Sequence, residues 1–312
     1  MNSLPARQQA TPTLSLVLGS GGARGLAHIG VIETLERRGF RINAIAGSSM
    51  GALVGGVHAA GKLPAYREWV TGLSATDVFS LLDWTFTGGG LIRGRKIIAT
   101  LKNLIGEIAI EHLPLAFTAV AVDLDQGREV WLSDGPLFDA IRASIAIPGV
   151  FTPHRYRGRT LVDGGLLNPV PVAPTLRTLS DYTVVVDVNG PDSEPPPLAP
   201  PPAAEAHHGN AFTAKLKEYL DSFSKDRSPV ETTPGLLAVL SRSFDTMQET
   251  IARQQLVIFR PDLIITLPKN TCLVYEFHRA ASLIDLGRRY TEAALAAHPV
   301  MASQPAAARR SA

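Results

Sequence analysis

Within its first 61 residues the chain runs twice from a short apolar β pattern, through glycines, into a helical pattern. Few folds accept that order. "TLSLVL", residues 13–18, is β-rich and ends in "GSGGARG", residues 19–25. "LAHIGVIETLERRG" follows, with Leu26, Ile29, Ile32 and Leu35 at helical spacing and Gly39 as a C-terminal stop. "INAIAGS" reads as a second buried strand and "MGALVGGVHAAG" as a helix of small residues. Strand, glycine turn and helix, repeated, predict parallel α/β architecture. The uncharged stretch Ile42–Gly61 is long enough to span a bilayer. Five glycines (47, 51, 55, 56 and 61) and Asn43, Ser48, Ser49 and His58 interrupt it, so a strand followed by a buried helix is expected instead.

The middle of the chain continues the pattern. Pro64–Gly72 and Arg95–Ile105 read as helices, separated by a loop at "TFTGGGLIRG". "LAFTAVAVDLDQG" and "REVWLSDG" read as strands, "PLFDAIRASIAIPGVF" as a helix stopped by Pro148, and "HRYRGRTLVDGG" as a β segment. "PVAPTLRTL" is expected to be helical and "DYTVVVDVN" a buried strand. Seven prolines between Pro191 and Pro202 mark an extended, solvated connection. Beyond it Phe212, Leu216, Tyr219, Leu220 and Phe223 share one face of an amphipathic helix, read as lying on the domain surface, with a lid or a membrane-contacting helix as the sharper alternative. A long helix, a last strand and a closing helix complete the chain. The expected division is a tail over 1–12, a main α/β domain over 13–190, a proline-rich insert over 191–234, elements completing the fold over 235–298 and a tail over 299–312.

Composition limits function by class. Hydrophobic residues make up 45% and charged residues 19%, which is globular with a sizeable core. A net charge of +2 demands no nucleic-acid partner. The single cysteine, Cys272, precludes an internal disulfide framework and fits a reducing, cytoplasmic compartment. No Cys/His cluster has zinc spacing, so neither metal nor cofactor is expected. The N-terminus lacks a good secretory signal. Peripheral contact with a membrane is compatible with these features, and oligomeric state is not set by them.

The sequence "GSSMG" fits G-x-S-x-G at Gly47, Ser49 and Gly51, with a strand before it and a helix after it. Such a turn pushes one side chain outward at the positive end of a helix dipole, where developing negative charge is favoured. Ser49 is the tip; Ser48 is read as structural. On this motif alone, a tight turn with a serine cap is the alternative. A serine hydroxyl needs a neighbouring base and donors for the oxyanion, each often worth ~3–4 kcal/mol. "GSGGARG" can supply converging backbone amides. It is not a dinucleotide fingerprint, because the position for the last glycine holds Arg24, and no G-K-[ST] follows.

None of the eight histidines sits in an obvious catalytic signature, and His28 and His58 fall inside helices. "TLVDGGLLNPVP" instead places Asp163 at a strand end before Gly164, Gly165, Asn168 and Pro169. Sites gather at the carboxyl ends of parallel strands, though an aspartate of a D-G turn reads the same way. An ordinary carboxylate, with a pKa near 3.9, would be ionised at neutral pH and need no shift to act as a base. Ser49, Asp163 and His278 also occur in the chain order of an α/β-hydrolase triad. A non-catalytic lipid-binding or regulatory module is the remaining alternative.

Taken together, "GSGGARG", "GSSMG" and the "DGG" at Asp163–Gly165 resemble the patatin-like phospholipase family in content and order, over about residues 14–190. "ASIAIPGVF", residues 143–151, resembles the segment preceding the acid in that family, and "FRPDLIITLP" and "LIDLGRRY" resemble its bacterial branch related to neuropathy target esterase. The resemblance implies a three-layer α/β/α fold with a central, mainly parallel sheet. It implies a lipid ester hydrolase with Ser49 as nucleophile and Asp163 as the only protein base. It further implies an oxyanion hole from the amides of Gly21, Gly22 and Ala23, to which the elbow adds Met50. Arg24 would hold the glycine loop or meet a lipid phosphate. Ser20, where many members carry glycine, leaves the set of donors open.

Overall fold

Strand β1 (Thr13–Leu18) buries alternate side chains on opposite sides, and this alternation builds two core layers. Leu14, Leu16 and Leu18 enter a large core with α1 (Ala27–Arg37), α2 (Met50–Ala59) and the C-terminal helix; Val17 joins Val170, Val172, Val185 and Ala252 on the other face. The computed structural model describes residues 11–85, 89–194, 236–299 and 301–303. The amphipathic stretch expected around residues 211–223 lies outside them.

The remaining elements, in chain order, begin with β2 (Arg41–Ser48), α3 (Leu63–Thr71), α4 (Ala75–Ser80), β3 (Gly90–Ile92) and α5 (Arg95–Ile105). Next come β4 (Ala116–Asp123), β5 (Arg128–Leu132), α6 (Leu137–Ser144), β6 (Gly149–Phe151), β7 (His154–Tyr156) and β8 (Arg159–Asp163). β9 (Tyr182–Gly190), α7 (Leu236–Phe259), β10 (Leu263–Pro268) and α8 (Ala280–Ala297) complete the described set. The main sheet has the order β10-β9-β1-β2-β4-β8-β7, with β5 on the other edge of β4. The five strands from β10 to β4 are parallel neighbours, whereas β5, β8 and β7 pair antiparallel. The result is a mostly parallel sheet flanked by helices, as expected. α7 packs on one face, and α1, α2 and α8 on the other.

Ile42–Gly61 is a strand turning into a helix, and no helix among the described residues is long and apolar enough to cross a membrane. Three local expectations change. The "TFTGGGLIRG" loop contains β3, which pairs with β6 in a separate two-stranded ribbon. α6 ends at Ser144, before Pro148, and the Ala146 carbonyl is freed to accept the Asp163 amide at 3.0 Å. "PVAPTLRTL" forms only a 3-10 turn, Ala173–Arg177. The "HRYRGRTLVDGG" segment is a hairpin whose two turn residues, Arg157 and Gly158, both have positive φ, 49° and 72°, as a two-residue hairpin loop prefers.

Candidate active site

β4 brings the two halves of the site together. β5 occupies one edge of β4, so β2 and β8 share the other. On that shared edge Ser48 pairs with Val120, and Asp163 pairs with the next residue, Ala121. β2 and β8 run in opposite directions, and their C-terminal ends therefore meet head to head. Ser49 is the first residue beyond β2, and Asp163 is the last residue of β8. Residues 114 positions apart become neighbours through register alone.

The serine turn is strained and held. Ser49 has φ 55° and ψ −123°, a conformation few non-glycine residues adopt. Its amide donates to Ser144 Oγ at 2.9 Å, and Ser144 Oγ donates to the Val120 carbonyl at 2.6 Å. Its carbonyl accepts the amides of Ala52 and Leu53 at 3.0 and 3.1 Å. A Cβ on Gly51 would run into the Leu18 carbonyl, and one on Gly47 into the backbone of Gly51. Both flanking glycines thus serve close approach of backbone to backbone. Gly51→Ala is expected to destabilise the protein by about 1–3 kcal/mol, read as a lowered Tm. Ser48 is fully buried and donates to the Asn168 carbonyl at 2.6 Å, the structural part assigned to it from sequence.

Asp163 differs from the ordinary carboxylate expected of it. Burial pushes its pKa up to about 7, against the opposing pull of the Ser49 hydroxyl and the Gly165 amide. Oδ1 accepts from the Gly165 amide at 2.7 Å, while Oδ2 is buried with no hydrogen-bond partner among the described residues. The Ser49 hydroxyl is near enough to influence the acid without forming a short, aligned bond to it, a looseness common in catalytic pairs without substrate. Gly164 lies against the Val120 carbonyl and Ser48, and Gly165 against Ser20 and Gln248. A side chain on Gly164 would press on β4 and the serine turn, and one on Gly165 on the glycine loop and Gln248.

The glycine loop is pinned at both ends. The amides of Gly19 and Ser20 donate to Val186 and Pro169 carbonyls, each at 2.9 Å. His28 Nε2 meets the Gly19 carbonyl at 2.8 Å; burial lowers the His28 pKa to about 4, so it is neutral and donates from Nε2. Arg24 reaches the Lys269 carbonyl at 2.8 Å and Asn189 Oδ1 at 2.7 Å, and Asn189 Nδ2 donates to the Ser20 carbonyl at 2.6 Å. Arg24 therefore ties the glycine loop to the segment after β10 and to Asn189 on β9.

The Gly21 and Gly22 amides have no acceptor among the described residues; nor does the Met50 amide, which opens α2. Ala23 is a correction. Its amide is committed to the Val274 carbonyl at 2.8 Å and is not a free donor. His278 lies on a 3-10 turn, Phe277–Arg279, that packs against α3, α4 and α8, and no histidine is among the described hydrogen-bond partners of Ser49 or Asp163.

Sequence reasoning missed Ser144, Asn189 and Gln248. Ser144 lies within "ASIAIPGVF", so the segment was visible but its purpose was not. Ser144→Ala leaves the Ser49 amide and the Val120 carbonyl without their buried partner. We expect a loss of about 1–3 kcal/mol in stability, measured by urea unfolding, together with a lower kcat on an ester.

The serine turn after β2 thus abuts the aspartate that ends β8. The chain belongs to the patatin-like phospholipase family, whose sequence profile matches residues 16–176. Family membership implies lipid acyl hydrolase activity. Among its relatives is an uncharacterized NTE family protein of Mycobacterium tuberculosis, 39% identical over 98% of both chains. A lysophospholipase of Coccidioides immitis is 32% identical over 61% of this chain and 12% of its own length. VipD of Legionella pneumophila shares the fold, with a TM-score of 0.50 and 15% identity over 92% of this chain and 67% of that one.

Proposed function

We propose that the protein hydrolyses carboxylic esters of lipids, in the manner of a phospholipase or lysophospholipase, with a Ser49–Asp163 dyad. The observation that carries this reading is the head-to-head meeting of β2 and β8 on one edge of β4. As Ser49 Oγ attacks the ester carbonyl, its proton passes to Asp163. The carbonyl oxygen becomes an oxyanion facing the amides of Gly21, Gly22 and Met50, at the N-terminal end of α2. The intermediate collapses, the C–O bond breaks, and Asp163 returns the proton to the departing alcohol or lysolipid. Water, deprotonated by Asp163, then attacks the acyl-serine; the acyl–Oγ bond breaks, Asp163 returns the proton to Ser49 Oγ, and the fatty acid is freed.

A base with a pKa of about 7 is better matched to this work than an ordinary aspartate, because it can both take and return a proton near neutrality. Ser49 is 3% exposed and Asp163 4%, so the dyad sits in a largely water-excluded setting. Met247 and Leu167, close in sequence to Gln248 and Gly165, and Val274, whose carbonyl accepts the Ala23 amide, are exposed apolar side chains that suit contact with acyl chains. Turnover of lysophospholipid, diacyl phospholipid, triacylglycerol and a short water-soluble ester, each with wild type and Ser49→Ala, tests the reading. Serine-dependent release of fatty acid from a lipid supports it. Serine-independent release, or no turnover of any of the four, overturns it.

A further inference from the structure

A cavity of about 510 Å³ lies between α5, α6 and the connection from β6 to β7, with neither Ser49 nor Asp163 in its lining. Arg95, Ile98, Ala99 and Lys102 line it from α5, at the i, i+3, i+4 and i+7 positions of one helical face. Arg142 lines it from α6. Its residue is only 6% exposed, and its hydrogen bonds run to neutral acceptors: the Arg93 carbonyl at 2.6 and 3.1 Å, the Thr152 carbonyl at 2.8 Å and Thr152 Oγ1 at 3.1 Å. Nη1 is buried without a partner. Asp83 and the Phe151 ring, 5.7 Å away, compensate this buried guanidinium only in part, and an anion in the cavity would meet it directly.

Two carboxylates lie near the guanidinium: Asp83, whose charge favours Arg142 without a direct ion pair, and Asp139, which is itself part of the lining. Asp83 accepts the Gly94 and Arg95 amides at 2.6 and 3.0 Å, Asp139 meets His154 Nε2 at 3.0 Å, and Glu107 pairs with Lys102 at 2.7 Å. Arg93 and Arg95, both exposed at the mouth, have no ion pair among the described residues. Ile98, Phe138 and Pro153 form an apolar wall beside these cations.

We propose that this cavity binds the phosphate of an organic phosphate, with Arg142, Arg93 and Arg95 on the anion and the rest of the ligand against the apolar wall. Arginine suits a phosphate because its planar fork meets two oxygens at once. The same chemistry is presented by a phospholipid headgroup and by a soluble phosphate ester. The proposal does not depend on hydrolysis at Ser49.

The test measures glycerol phosphate binding by isothermal titration calorimetry. In parallel, sedimentation measures binding to phosphatidylcholine vesicles with and without phosphatidic acid. Wild type, Ser49→Ala, Arg93→Ala/Arg95→Ala and a charge control, Arg253→Ala/Arg288→Ala, are compared. Wild type, Ser49→Ala and the control should bind alike, and the cavity variant about tenfold or more weakly. That variant should hydrolyse a short water-soluble ester at the wild-type rate. Binding of glycerol phosphate identifies a soluble source; binding only to vesicles containing phosphatidic acid identifies a headgroup. Lys102→Glu makes the same comparison if the double variant unfolds. Absence of binding in both assays, or equal binding by cavity variant and wild type, overturns the proposal, as does equal weakening by the control.

Discussion

Ser49→Ala is expected to lower ester hydrolysis by about 10⁴-fold or more, with the circular dichroism spectrum and Tm close to wild type. The size follows from chemistry: without the hydroxyl there is no acyl-enzyme, and only the oxyanion amides and binding remain. The retained stability follows from the hydrogen bonds. The turn is held through the Ser49 backbone by Ser144, Ala52 and Leu53, and the Ser49 hydroxyl interacts only loosely, with Asp163. Alanine can occupy the same strained φ and ψ at similar cost. Steady-state rates on a nitrophenyl ester check this, and near-wild-type activity in pure Ser49→Ala would remove the serine from the mechanism.

Asp163→Asn should lose activity on a similar scale while gaining stability. The activity loss arises because an amide cannot accept the serine proton. The stability gain arises from linkage. Burial raises the Asp163 pKa from 3.8 to about 7, so the folded state holds this proton more tightly than the unfolded state does. The stability contributed by the protonated acid is fully present below pH 3.8 and is lost as pH rises through about 7. Above that point the fold carries a buried carboxylate, at a cost of up to about 4 kcal/mol. Asparagine removes that charge, so its Tm advantage over wild type should grow from pH 5 to pH 8. In wild type, kcat/KM should rise with pH through about 7 and then level, because the free enzyme needs the ionised acid. Flat kcat/KM between pH 5 and 8, or an asparagine variant no more stable at high pH, would contradict a buried base.

Much of the fold was legible because its signals are local. The two strand–glycine–helix units declare themselves through apolar runs and small residues, and Ser49 follows from the turn between them. Asp163 was legible as a strand-end acid before two glycines, although nothing in "TLVDGG" says that β8 runs antiparallel to β4. Direction and pairing belong to contacts far apart in sequence, and for the same reason the β3–β6 ribbon hid inside a glycine loop. α6 ends at Ser144, four residues before Pro148, whose missing N–H leaves the Ser144 carbonyl without its helical donor. The raised pKa of Asp163 is a property of what surrounds the carboxyl, which composition does not carry. Ala23 shows the same limit. A glycine-rich loop announces amides, but which of them are already paired depends on Val274, some 250 residues later.

The most direct measurement is the site and rate of labelling by a fluorophosphonate, with the modified peptide located by mass spectrometry. A serine activated by Asp163 predicts a single adduct on Ser49 in wild type. It predicts labelling slowed by orders of magnitude in Asp163→Asn and an unchanged rate in His278→Ala. An adduct on another residue, equal labelling of Asp163→Asn, or a collapse of labelling in His278→Ala would contradict the Ser49–Asp163 dyad.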